Sequence, residues 1–137
     1  MDKKELSETR RCLEKTQLQM AQLLGVSVKA IQSFEQGWRK IPIHIERQSF
    51  FLLALKESRL HKARPCWLIK NCPLETRQNC PAWEFRAGQM CWLINGTTCQ
   101  GKLQKSWPRK MAMCKKCKVL QSALSSGFTR ARRFQAR

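Results

Sequence analysis

The stretch QLQMAQLLGVSVKAIQSFEQG, residues 17–37, decides how the first half of the chain is read. Met20, Ala21 and Leu24 fall on one face of a short helix, and Gly25 supplies a residue able to take a left-handed turn. Ser27 stands where it caps a second helix, whose buried face carries Ile31 and Phe34. Ala21 is small where two steeply crossed helices nearly touch, and Val26 fills the corner between them. The spacing predicts a helix-turn-helix with Lys29, Gln32 and Ser33 turned outward. A second helix presented in this way fits the major groove of DNA, where long polar side chains meet base edges and cations meet phosphates.

Working outward, residues 4–14 place Leu6, Cys12 and Leu13 at helical spacing among charges. This predicts an opening helix packed behind the recognition unit, with Cys12 as a small buried filler. After Gly37 come Trp38, Arg39 and Lys40, and after Pro42 a long helical pattern over residues 43–60 with Ile45, Phe50, Leu53 and Leu60 as its inward stripe. Phe51, Leu52 and Leu55 widen that stripe beyond what a small four-helix domain uses, which points to a second domain or a partner subunit. His44 and His61 have no cysteine at ligand spacing and read as surface or core residues.

Gln17, Ala21, Gly25, Ile31, Phe34, Glu35 and Gly37 together resemble the signature of the phage repressor and Cro family of DNA-binding domains, over about residues 4–60. The resemblance implies a homodimeric transcriptional regulator on double-stranded DNA. It also implies a phosphate contact for Gln17, base or backbone contacts for Ser27, Lys29, Gln32 and Ser33, and a path along the phosphates for Trp38, Arg39 and Lys40. Val28 departs from the pattern. It stands where many members present a polar base reader, so its readout is apolar, for instance toward a thymine methyl, or absent.

The 137 residues suffice for one domain or two small ones, and cysteine usage argues for two. Cys12 is alone in the first half, whereas Cys66, Cys72, Cys80, Cys91, Cys99, Cys114 and Cys117 crowd the second. The formal charge is +18; residues 1–64 hold 13 basic and 7 acidic side chains, residues 65–137 hold 14 and 2. Such an excess favours a polyanionic partner. The start is charged throughout, unlike a secretory signal, and the longest apolar run, residues 50–55, is far short of the roughly 20 residues that span a bilayer. A cytoplasmic protein without membrane contact is expected, and in that reducing compartment clustered cysteines bind metal or do redox chemistry. No enzyme is expected, because paired carboxylates, a serine-histidine arrangement and a phosphate-cradling glycine loop are all missing from the sequence. Glu75 and Glu84, the two acids after residue 65, read as helix-capping or surface groups.

Residues 61–65, HKARP, read as a linker ended by a proline. Beyond it Cys-Trp-Leu-Ile occurs at 66–69 and again at 91–94, and Asn-Cys-Pro at 71–73 and again at 79–81, small echoes of a pseudo-symmetric site. Each Asn-Cys-Pro reads as a helix start, a position that lowers a thiol's pKa, and the second helix, PAWEFRA, stops at Gly88. Asn95-Gly96 predicts a two-residue hairpin turn that sets Trp92 opposite Cys99 and Cys91 opposite Gln100, so that Cys91 and Cys99 face opposite sides. A last helix is predicted from Pro108 to a stop at residues 125–127, with Cys114 and Cys117 in mid-helix on one face and Lys110, Lys115, Lys116 and Lys118 around them. The tail, residues 127–137, carries four arginines and no acid and reads as a disordered basic arm.

A domain of about fifty residues buries too little apolar surface to be secure without a staple. Three uses of the cysteines fit: an iron-sulfur cluster shielded by Trp67, Trp83, Trp92 and Trp107 and offset by the lysines, a structural zinc site, or a metal-free thiol switch. The order of motifs from Cys66-Trp67 through Cys91-Trp92 to the closing Cys114-x-x-Cys117 is similar to the two-CW segments of some bacterial sensor proteins and chemoreceptors, over residues 66–120. That resemblance implies a sensory or metal-binding segment. The expectation is a mainly α protein: a four- or five-helix repressor-like helix-turn-helix domain over 1–60, the linker 61–65, a small metal-stapled domain of short helices and one candidate hairpin over 66–124, and the tail 125–137. All seven cysteines after the linker are candidate ligands, with an iron-sulfur cluster as the first reading and zinc as the alternative. The corresponding function is a DNA-binding regulator that senses redox or metal state.

Overall fold

The structure is a computed structural model and describes residues 1–56, 64–99 and 101–124. The chain forms two compact units, one within Met1–Glu57 and one within Ser58–Ala123. Both are mainly helical, as the sequence predicts.

In the first unit, α1 (Lys3–Cys12) begins at a capping box in which the Asp2 carboxylate accepts from the Glu5 amide and the Glu5 carboxylate accepts from the Asp2 amide. Thr16 and Gln19 repeat the device at α2 (Gln17–Leu24). Gly25 ends α2 with φ +69°, a left-handed conformation that costs glycine nothing, and Ser27 caps α3 (Val28–Gln36) by accepting from the Ala30 amide at 3.0 Å. Met20, Ala21, Leu24, Ile31 and Phe34 are buried, so the helix-turn-helix forms at the expected positions. Behind it, α1 packs on α3 and on α4 (Ile43–Lys56), through Leu6, Ile45, Phe50 and Leu53. Lys56 joins the ends of α1 and α4 by donating to the Leu13 carbonyl at 2.8 Å and to the Glu14 carboxylate at 3.1 Å. Cys12 is half-buried rather than a fully enclosed filler. The expected continuation of α4 to Leu60, the linker residues 61–63 and the basic tail lie outside the described residues.

The second unit is assembled from short pieces: α5 (Cys66–Ile69), α6 (Leu74–Gln78), α7 (Pro81–Glu84), a 3-10 turn (Cys91–Leu93), β1 (Thr98–Cys99), β2 (Lys102–Leu103), α8 (Trp107–Lys115) and α9 (Lys118–Ala123). Three sequence expectations need correction here. The hairpin exists but is displaced: β1 and β2 are antiparallel with Thr98 opposite Leu103 and Cys99 opposite Lys102, and the second CWLI is a 3-10 turn. Its local bonds, Leu93 N–H to Met90 and Ile94 N–H to Cys91, win over strand pairing; Asn95 and Gly96 do turn, with Gly96 at φ +83°, but the turn leads into β1 and does not join two strands, and Gly96 and Thr97 pair with Gln104. The Gln100 pairing lies outside the described residues. The last helix is broken into α8 and α9, so Cys114 lies in the final turn of α8 and Cys117 in the joint before α9, not in mid-helix. Finally, α7 ends at Glu84, four residues before Gly88, because Arg86 takes φ +53°.

Among the described residues no helix is long and apolar enough to cross a membrane.

Candidate functional site

In the first unit, α3 keeps Ala30, Ile31 and Phe34 inward and leaves Lys29 and Gln32 exposed, with Ser27 exposed at its start. Val28 and Ser33 are half-buried flanking positions. Trp38, Arg39 and Lys40 follow directly and are all exposed; Trp38 is 79% accessible, and the Arg39 guanidinium lies over the Phe34 ring at 5.4 Å. Eight of the nine residues predicted to meet DNA thus stand on or beside one helix and the segment after it. The ninth, Gln17, is half-buried and donates its amide to the Glu35 carboxylate, which also accepts from Arg10 Nε at 2.8 Å. Glu35 therefore ties α1, the start of α2 and α3 together, and sets how α3 is presented.

In the second unit the two CWLI echoes become two short helical turns, and each brings its leading cysteine inward. The amide of Cys66 donates to the Gly88 carbonyl at 2.8 Å, which anchors α5. Cys66, Cys72, Cys80, Cys91 and Cys99 all line one cavity of about 260 Å³, walled also by Trp67 and Trp83. The two rings meet edge to face with centroids 4.9 Å apart, so two of the four tryptophans named from the sequence wall the cavity, and Trp107 is not among its lining residues. Trp92 is fully buried but is not a lining residue. Cys91 and Cys99 share the cavity instead of facing opposite sides, because Cys91 sits on a 3-10 turn and the two-residue alternation of a strand does not apply to it.

Cys114 and Cys117 do not line the cavity. Cys114 is buried in α8, and Cys117 packs against the apolar cluster of Cys80, Ala82, Cys91 and Val119. Among the described residues, no three Cys, His, Asp or Glu side chains form a group that holds a single metal ion as they stand.

The thiols are not equivalent. The Cys91 thiol donates to the Cys66 sulfur, and that bond, with the Trp67 amide and the Lys110 ammonium, outweighs burial and brings Cys66 down to about 7. Cys91 is pushed in the opposite direction by the same bond and by burial, so the pair is best described as sharing one proton. Burial pushes Cys114 up to about 11, with Lys110 opposing. Burial and the neighbouring sulfurs also raise Cys72, contrary to the helix-start expectation. The reason is that α6 has only five residues, begins at Leu74 and is capped by Pro73, which has no N–H to offer a thiolate. At the second Asn-Cys-Pro, Cys80 is the residue before α7, and its sulfur accepts the Thr98 amide at 3.4 Å.

Cations border this site. Lys70 and Arg77 are lining residues, and Arg77 lies over Trp83 at 5.0 Å with its Nε buried and without a partner among the described residues. Lys110 is fully buried and donates to Thr97 Oγ1, which is 3.5 Å from the Cys99 sulfur. The sequence reading placed Lys110 with three other lysines around Cys114 and Cys117, as charges that offset a cluster, without foreseeing its burial or the part of Thr97. The spacing of Lys110 and Cys114, i and i+4 on one helix, was the available signal.

No family model, curated protein or solved structure matches this chain.

Proposed function

We propose that the protein is a DNA-binding transcriptional regulator whose second unit holds an iron-sulfur cluster and reports redox or metal state to the first. The observation that carries this reading is the joining, in one chain, of an exposed α3 recognition face to a cavity lined by five thiols. Dimerisation on a two-fold operator, a cytoplasmic setting and the lack of catalytic activity belong to the same proposal. The half-buried Phe51 and Leu52 and the exposed Leu55 on α4 supply an apolar strip for a partner copy.

The donor chemistry of the residues present fits such a cluster, whose binding would draw the thiols closer together than they stand. Cys66, Cys72, Cys80, Cys91 and Cys99 surround a void large enough to admit inorganic sulfide as well as metal, and four of them suffice as ligands. The unpartnered Nε of Arg77 and the Thr98 amide offer donors to sulfur, and the tryptophan walls limit water. When bound, the cluster supplies one-electron redox chemistry and sensitivity to oxidants. The chain's own residues hold the thiols, exclude solvent and offset negative charge. Structural zinc is the second reading, favoured by the surplus pair Cys114 and Cys117, which lie together outside the cavity.

The test is elemental analysis of protein purified without oxygen, followed by operator-binding measurements on loaded, stripped and oxidised forms. Near-stoichiometric iron and acid-labile sulfide, with an operator affinity that changes by at least about fivefold between forms, is the expected result. Zinc without iron removes the cluster, and equal affinity of all three forms removes the sensing role.

A further inference from the structure

We infer that Lys110 is the fixed counter-charge of the thiol cavity, a positioning residue that sets how readily the bound group accepts an electron. This rests on the reading that the cavity holds an iron-sulfur cluster, and it assigns a regulating role to a side chain that is not itself a ligand.

Lys110 is 0% exposed, so its ammonium has no contact with water. Its hydrogen-bond partner is a hydroxyl, Thr97 Oγ1, which carries no charge. The two carboxylates of residues 64–124, Glu75 and Glu84, are both exposed on short helices, and the structure pairs neither of them with Lys110. A buried ammonium is retained only where something negative faces it. What faces this one is sulfur. Thr97 Oγ1 connects it to the Cys99 thiol, and the Lys110 charge acts on Cys66 and Cys91 within the cavity and on Cys114 one helical turn away on α8. Four thiolates around a cluster leave the assembly negative, and each added electron increases that charge. A positive charge fixed beside them in a medium of low dielectric therefore favours the reduced state and opposes loss of the ligands.

The experiment uses the full chain, purified without oxygen as wild type, Lys110→Met and Lys110→Arg, with iron and sulfide content, chelator release and midpoint potential measured for each. Lys110→Met is expected to shift the potential negative and to surrender iron to a chelator faster. Lys110→Arg is expected to keep the wild-type potential within error. If Lys110→Met fails to fold, Lys110→Gln, which is neutral and retains a donor for Thr97, takes its place with the same expected negative shift. A neutral variant that holds its cluster at the wild-type potential overturns the inference while leaving the cluster reading intact. A wild type free of iron and sulfide overturns the cluster reading and this inference with it.

Discussion

Removing the Glu35 carboxylate by Glu35→Ala tests whether α3 is held by the network described above. The carboxylate is 6% exposed and accepts from Arg10 Nε at 2.8 Å and from the Gln17 amide. Two hydrogen bonds to an ionised acceptor are lost, one of them charged on both sides, and Arg10 is left largely enclosed at 18% exposure. Such bonds contribute about 1.5–3 kcal/mol each, and stranding one member of a buried pair costs about 3–5 kcal/mol. Arg10 keeps its bond to the Lys15 carbonyl at 3.0 Å, and water reaches its exposed edge, so the loss falls short of the upper figures. We expect about 2–4 kcal/mol, a large share of the roughly 5–15 kcal/mol that holds a domain folded. In a melt followed by circular dichroism the transition of the first unit should move down by about 10–20 °C. Glu35→Gln, which keeps the shape and one acceptor, should lose about half as much. A Glu35→Ala melt within about 3 °C of wild type refutes the view that this carboxylate ties the three helices together.

Three further outcomes follow from other parts of the chain. Lys29→Ala should weaken binding to all DNA sequences and lower the salt dependence by about one counterion, whereas Gln32→Ala should cost about 1–3 kcal/mol on the preferred operator alone; salt titrations of binding separate the two, and identical behaviour contradicts the proposed roles. Gly25→Ala has open space around the added methyl but must hold φ +69°, so denaturant unfolding should show a loss of about 1–2 kcal/mol from backbone strain with no change of packing. In stripped, reduced protein, Cys66 has a lowered pKa and is therefore thiolate above about 7 and thiol below it, so alkylation mapped by mass spectrometry should rise through that pH; Cys114, raised to about 11, should stay unlabelled at neutrality. A Cys66 profile centred near 9 contradicts the bond from Cys91.

The sequence alone determined the helix-turn-helix, because its constraints are local: a small residue at Ala21, a left-handed position at Gly25, a hydroxyl cap at Ser27 and an apolar stripe of period 3.6 act over one or two turns. The outward residues of α3 follow from the same period. In the second unit, local rules misplaced the hairpin, lengthened α7 and ran α8 into α9, since four-residue pieces there have little intrinsic preference and take their form from packing. Which cysteines meet was a tertiary decision as well. Cys66 and Cys91 lie 25 positions apart in the chain and share a hydrogen bond, while Cys114 and Cys117, the most legible pair in the sequence, stand outside the cavity. Burial of Lys110 was equally invisible along the chain, because a lysine among lysines reads as surface until the fold removes its water and leaves sulfur as its surroundings.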